Sequence, residues 1–233
     1  MYLSRIQLRF NQLRPEMLAK WDAAAPYASH QWLWQLFPEL QTRHFLFRQE
    51  LKGGFFVLSA TPPLIEHNLF QIETRPFKPQ LGKGALLDFQ LRANPVVTRN
   101  GKRSDVMMDA KYQAKVQGIP QPKWWALQQE AAQHWLTMQG QQHGFTPVFP
   151  DSDSFASWAG DDDAMEPAKT CVTAYTQHRF ARKEGEKPIV FSSVDFAGTL
   201  RVTDPVAFER ALFTGLGKSK ALGCGLLMVK RRT

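Results

Sequence analysis

Residues 1–10 alternate. Tyr2, Ile6, Leu8 and Phe10 are apolar where Arg5, Gln7 and Arg9 are polar, which is the two-residue period of a half-buried strand, and Leu3 is the one residue out of phase. From Pro26 the period lengthens. Tyr27, His30, Trp34 and Phe37 recur at spacings of three, four and three, which predicts a helix over 26–37 with Pro26 in its first turn and Pro38 ending it. His44–Glu50 and Phe55–Ala60 are apolar-rich runs joined by Leu51-Lys52-Gly53-Gly54, the pattern of a hairpin. Residues 61–84 are rich in proline and have no clear period. Ala85–Thr98 alternates again, with Leu87, Phe89 and Leu91 opposite Asp88, Gln90 and Arg92, and is expected to close a split β-α-β unit.

The second half repeats this logic. Lys123–Gln142 reads as a long helix with Trp124, Leu127, Ala131, Trp135 and Met138 along one side, an apolar stripe best explained as core. Strands are expected over Lys169–Phe180 and Pro188–Val202, on either side of the polar run Arg182–Lys187. Asp204 then suits an N-cap and Pro205 a first helical position, opening a helix to about Phe213, and Gly225–Val229 supplies a last strand. The simplest arrangement is α+β, two βαββαβ halves over residues 1–92 and 93–233, without internal sequence similarity between them.

Composition narrows the class. With 43% hydrophobic and 21% charged residues the chain is an ordinary globular one, and no apolar run reaches the length of a membrane span, so a cytoplasmic location is expected. Cys171 and Cys224 form no CxxC pair and are read as reduced thiols. The net charge of +8 favours anionic partners. It is unevenly placed: residues 1–150 carry +7, the insert 151–166 carries −6 and residues 167–233 carry +7. Asp161-Asp162-Asp163 in that insert reads as a solvated loop, since no His or Glu stands in metal-ligand spacing beside it.

Familiar catalytic motifs are missing. Gly215-Leu216-Gly217-Lys218-Ser219 lacks the upstream glycine of a phosphate-binding P-loop, because Leu212 stands there. No HExxH, GxSxG or dinucleotide glycine fingerprint occurs. Residues 215–225 remain as a glycine- and lysine-rich segment, which can be either a phosphate cradle using Lys218, Ser219 and Lys220 or a flexible solvated loop. Tyr27 and His30, one helical turn apart, can act as an acid–base pair; equally, they can be the polar edge of a core stripe. Arg92, Arg99, Lys102, Arg103, Lys111 and Lys115, against Asp105 and Asp109, form a basic stretch suited to phosphate contacts.

An ordered set of motifs now stands out: Met1-Tyr2-Leu3-Ser4, Tyr27-x-x-His30-x-x-x-Trp34-x-Leu36-Phe37-Pro38, Phe45-Leu46-Phe47-Arg48, Phe89-x-Leu91-Arg92-Ala93-Asn94-Pro95, and Gly215-x-Gly217-Lys218-Ser219-Lys220-Ala221-x-Gly223-Cys224-Gly225-Leu226-Leu227. The set resembles the CasE family of CRISPR RNA-processing endoribonucleases, subunits of the type I-E Cascade complex. The likeness runs from residue 1 to about 229 and is weakest over 99–168. It implies tandem ferredoxin-like (RRM-like) domains that bind the repeat stem-loop of precursor CRISPR RNA and cut at its base without a metal or other cofactor. The 2′-hydroxyl attacks the adjacent phosphate, giving a 2′,3′-cyclic phosphate and a 5′-hydroxyl. By the Tyr-x-x-His spacing Tyr27 and His30 are the implied catalytic pair, with acid and base unassigned, and Lys218 and Lys220 stabilise the phosphate. The basic run Arg179, Arg182, Lys183 and Lys187 is the segment expected to enter the end of the RNA stem. The implied partners are the precursor, the mature crRNA, which is retained, and the other Cascade subunits, with no membrane. Two other readings compete: a structured-RNA binder that does not cut, and a metal-dependent nuclease built on the acidic insert.

Overall fold

The computed structural model describes residues 1–39, 41–99, 101–149, 169–182 and 185–232. Lys183 and the acidic insert 151–166 lie outside the described residues. The elements in chain order are β1 (Tyr2–Leu8), α1 (Pro15–Trp34), β2 (Phe45–Gln49), β3 (Gly54–Ser59), β4 (Phe70–Pro76), β5 (Leu86–Ala93), β6 (Val96–Arg99), β7 (Lys102–Asp105), α2 (Val106–Val116), α3 (Trp124–His143), β8 (Phe145–Pro147), β9 (Cys171–Phe180), β10 (Ile189–Val202), α4 (Pro205–Thr214) and β11 (Leu227–Arg231). No described helix is long and apolar enough to cross a membrane.

Strands order β2-β3-β1-β4 in the first sheet and β11-β5-β10-β8 in the second, with β9 also on β10. Both orders are ferredoxin-like and all pairings are antiparallel, so the chain is α+β with two such halves. The first half differs in one detail: between β3 and β4 the chain runs without an α-helix. The strand expected to close the first unit belongs elsewhere. β5 pairs with β10 and β11 in the second sheet, and β4 closes the first by pairing with β1. Periodicity could not decide this, since alternation says which face of a strand is apolar but not which sheet it joins. Pro95 lacks an N–H for the ladder, and the run that reads as continuous over 85–98 is cut into β5 and β6 there.

Pro26 shapes α1. Its ring cannot accept the carbonyl four residues earlier, and the backbone leaves helical geometry at Ala24 (φ −152°, ψ 48°) before resuming with Pro26 in the first turn of the second segment. The helix begins earlier than periodicity predicts, at Pro15. Its buried face is Ala28, Ser29, Trp32 and Leu33, which cover Ile6, Phe47, Phe55, Val57 and Phe70 of the first sheet. Each fully buried phenylalanine there contributes about 1.5–3 kcal/mol of apolar transfer. In the second half α3 and α4 cover Phe89, Leu91, Val194, Phe196 and Leu200. Asp204 caps α4 as predicted, accepting from the Val206 and Ala207 N–H groups at 3.0 and 3.1 Å. A third cluster, Leu46, Leu58 and Leu226 with Leu3, Phe56 and Phe213 against it, joins the halves. Leu3 is out of phase in β1 because it packs there, on the face away from α1.

The apolar stripe of α3 is divided. Gln128, Ala132, Leu136 and Gly140 are the buried positions, and Leu127, Ala131, Trp135 and Met138 wall an open groove shared with α2, but Trp135 also packs against the second core, stacked on Phe196 at 6.1 Å. Asp105 caps α2 through the Met108 N–H, and Arg99 pairs with Asp109 at 2.8 Å, so part of the basic stretch 92–115 is helix and ion pair.

Cys171 is exposed and Cys224 fully buried, with burial pushing its thiol up to about 12. A thiol reagent is therefore expected to modify one cysteine of the folded protein and both after denaturation, read by absorbance of the released chromophore. Two reactive thiols in the folded protein would contradict the packing of Cys224.

Candidate active site at the junction of the two halves

The face of α1 flanking its buried side carries Tyr27, His30, Gln31 and Trp34. Together with Arg182, Ile189, Ser219, Ala221 and Leu222 they line one open cleft of about 660 Å³. The helix restart at Pro26 places Tyr27 and His30 one turn apart at the mouth of this cleft. Both are half-buried, at the polar edge of a stripe whose Phe37 is in the core and whose Trp34 packs against it, so the stripe and the cleft share this edge of the helix.

His30 is held by rings. Trp34 meets it edge-on with centroids 5.6 Å apart, and Phe45 lies tilted at 6.3 Å. Burial first, and the charge of Arg43 second, lower its pKa and favour the neutral imidazole. Tyr27 is oriented through Gln31. Lys20 donates to Gln31 Oε1, and an ammonium can only donate, so the amide nitrogen faces Tyr27 and donates to its hydroxyl oxygen at 2.9 Å. The Tyr27 proton is left to point elsewhere. Lys20 and Arg182 also stand over the Tyr27 ring, at 5.5 and 5.7 Å from its centroid.

The glycine-rich segment forms the opposite wall. Gly225 (φ +92°) comes so close to Leu216 that a Cβ would sit 2.7 Å from its carbonyl oxygen, and Gly215 (φ +74°) faces the Gly225 carbonyl oxygen at 2.9 Å by the same measure. These glycines fold the segment back on itself, and several of its N–H groups are used internally: Leu216 donates to Gly225 O and Gly225 to Arg92 O. What it offers an anion is side chains. Asn94 holds Ser219 in place through Nδ2 to Oγ at 2.6 Å, at a left-handed φ of +55°. Lys218 is exposed and Lys220 half-buried, its pKa lowered by burial and then by Arg43 and Lys218.

The remaining sequence-derived residues are dispersed. Arg182 reaches the cleft from the turn between β9 and β10, and Arg179 is exposed at the end of β9. Lys102 and Arg103 are exposed on the β6–β7 hairpin and do not line the cleft. Arg92 is engaged internally: Nε and Nη2 donate to the Asp195 carboxylate, both at 2.8 Å, and Nη1 donates to Gln49 O at 3.1 Å. Arg43, Lys20, Gln31 and Asn94 escaped sequence reasoning as site residues. Only Gln31 had a usable signal, the four-residue spacing that puts it beside Tyr27 on a helix.

A family model described as CRISPR associated protein matches residues 1–231. The CRISPR system Cascade subunit CasE of Escherichia coli K12 is 31% identical over 212 residues, which cover 86% of this chain and 89% of that protein. Among solved structures, Thermus thermophilus Cse3 bound to an RNA representing a pre-cleavage complex has a TM-score of 0.69 at 23% identity, covering 98% of both chains. Cas6e from Escherichia coli K-12 has a TM-score of 0.55 at 21% identity over the full length of both, 100% in each case. The fold agrees with these two structures, and the sequence match along nearly its whole length decides the family: the chain belongs to the CasE family of CRISPR-associated proteins.

Proposed function

We propose that this chain is a CRISPR RNA-processing endoribonuclease of Cascade, which binds the repeat stem-loop of precursor CRISPR RNA, cuts at its base without a metal ion, and keeps the mature crRNA. The observation that carries the reading is the convergence in one cleft of Tyr27 and His30 with Arg182 and Ser219, flanked by Lys218 and Lys220. The neutral His30 takes the proton of the 2′-hydroxyl, O2′ bonds to phosphorus, and the P–O5′ bond breaks. Tyr27 gives its proton to the departing O5′, leaving a 5′-hydroxyl and a 2′,3′-cyclic phosphate. Lys218 and Lys220 balance charge growing on the non-bridging oxygens. Arg179, Arg182 and Lys187, around the β9–β10 turn, supply the basic surface that grips the stem end, with Lys183 of the same basic run, and Lys102 and Arg103 on the β6–β7 hairpin are further phosphate contacts. A deep A-form major groove makes such binding depend on shape and charge.

The deciding experiment incubates the protein with end-labelled repeat RNA in EDTA and analyses the product ends. One cut at the stem base bearing a cyclic phosphate is expected; tight binding without a cut would replace the nuclease by an RNA holder, and activity that required added divalent metal would remove the proposed chemistry.

The pH dependence follows from His30. Its pKa lies below the usual histidine value, so the base form persists as pH falls, and the acid-side drop in kcat/KM is expected at lower pH than an unperturbed histidine would give. A profile that instead falls as pH rises through that same range would make His30 the acid.

A further inference from the structure

We propose that Gln31, itself held by Lys20, is a positioning residue that sets the direction of the Tyr27 proton for the departing O5′; this rests on the nuclease reading above. All three residues belong to α1, and the break in that helix brings them together. In an unbroken helix residues 20 and 31 would stand about 16 Å apart along the axis, too far for a lysine and a glutamine to touch. Here the backbone leaves helical geometry at Ala24, and Lys20 Nζ reaches back past Pro26 to donate to Gln31 Oε1. Gln31 Nε2 in turn donates to Tyr27 Oη at 2.9 Å, and Gln31 and Tyr27 both line the cleft. The same lysine stands 5.5 Å from the centre of the Tyr27 ring.

A phenol hydrogen lies in the ring plane, on either of two sides of the oxygen. With the Gln31 amide as donor on one side, the Tyr27 proton takes the other and is free for a reacting oxygen. Turned over, the amide would present Oε1, accept the Tyr27 proton and withdraw it from the reaction. Lys20 excludes that arrangement, because an ammonium only donates and holds Oε1 on its own side. When the P–O5′ bond breaks, the proton passes from Tyr27 Oη to O5′, and the phenolate oxygen left behind carries its charge against the Gln31 N–H. That contact is stronger with the charged oxygen than with the neutral phenol, so it acts on the transition state more than on the bound substrate. Exchange with solvent then restores Tyr27 and the protonated His30. Gln31 acts through Tyr27 and not on the phosphate.

The test compares wild type with Gln31→Ala, Gln31→Glu and Lys20→Met in single-turnover cleavage of repeat RNA. Binding is measured in parallel on the same RNA with a 2′-deoxy nucleotide before the cut. Gln31→Ala is expected to cut about 10–100-fold more slowly and Lys20→Met about fivefold more slowly, while binding changes by less than about fivefold. Gln31→Glu keeps the shape of the side chain but should be at least as slow as Gln31→Ala, because a carboxylate accepts the Tyr27 proton. RNA with sulfur in place of the scissile 5′-oxygen separates this role from packing. A thiolate departs without being protonated, so all three variants should cut that RNA within about threefold of wild type. A wild-type rate on ordinary RNA in any of the three, a milder loss in Gln31→Glu than in Gln31→Ala, or a loss that the sulfur substrate does not repair would overturn the positioning role alone. No cut of ordinary RNA by the wild type would overturn the nuclease reading and this proposal with it.

Discussion

His30→Ala is expected to lower the single-turnover rate of repeat RNA cleavage by about 10²–10⁴-fold, the range general acid–base groups contribute, while RNA affinity stays within a few fold. The prediction is sharp because His30 is half-buried at the polar edge of the core stripe. The imidazole leans on Trp34 and Phe45, whereas the buried face of α1 is Ala28, Ser29, Trp32 and Leu33. Losing those ring contacts costs about 1 kcal/mol, too little to unfold a domain of ordinary stability. Tyr27→Phe is the companion variant, since it keeps the ring under Lys20 and Arg182 and removes only the hydroxyl that Gln31 addresses. The rate and an unfolding curve are measured on the same preparations. Intact cleavage by His30→Ala would remove the catalytic assignment; lost cleavage with a collapsed unfolding transition would make His30 a packing residue.

The second large effect is on stability. Arg92→Ala is expected to destabilise the protein by about 3 kcal/mol, because it leaves the Asp195 carboxylate in a poorly solvated place without its counter-charge. Side-chain exposure there is 14% for Asp195 and 29% for Arg92, and the pair is bidentate, unlike a surface ion pair worth a few tenths. The same guanidinium reaches Gln49 O in β2, and the Arg92 carbonyl accepts from Gly225, so one residue ties the first sheet to the second and to the glycine-rich wall of the cleft. Urea unfolding should show a lower midpoint with an unchanged slope. Replacing both partners, Arg92→Met with Asp195→Leu, should cost less than Arg92→Ala alone, since no charge is left stranded. Unchanged stability with weakened RNA binding would return Arg92 to the phosphate-contact role that its place in a basic stretch suggests.

The chain's local chemistry is written plainly in its order. Alternation gives β1, the glycine turn gives the β2–β3 hairpin, Asp204-Pro205 opens α4, and Pro26 starts the helical turn that carries Tyr27 and His30. These depend on neighbours a few residues apart, and steric and capping rules act at that range. The ordered motifs from residue 1 to 229 likewise placed the family before any coordinate. Tertiary structure alone decided what covers each face and what neutralises each charge. It put β5 in the second sheet, divided the apolar stripe of α3 between the core and an open groove, and spent Arg92 on a carboxylate 103 residues away. The physical reason is range: a hydrophobic period specifies that a surface must be buried and a basic residue that charge must be balanced, but the partner that satisfies either comes from distant chain, and only the completed packing selects it.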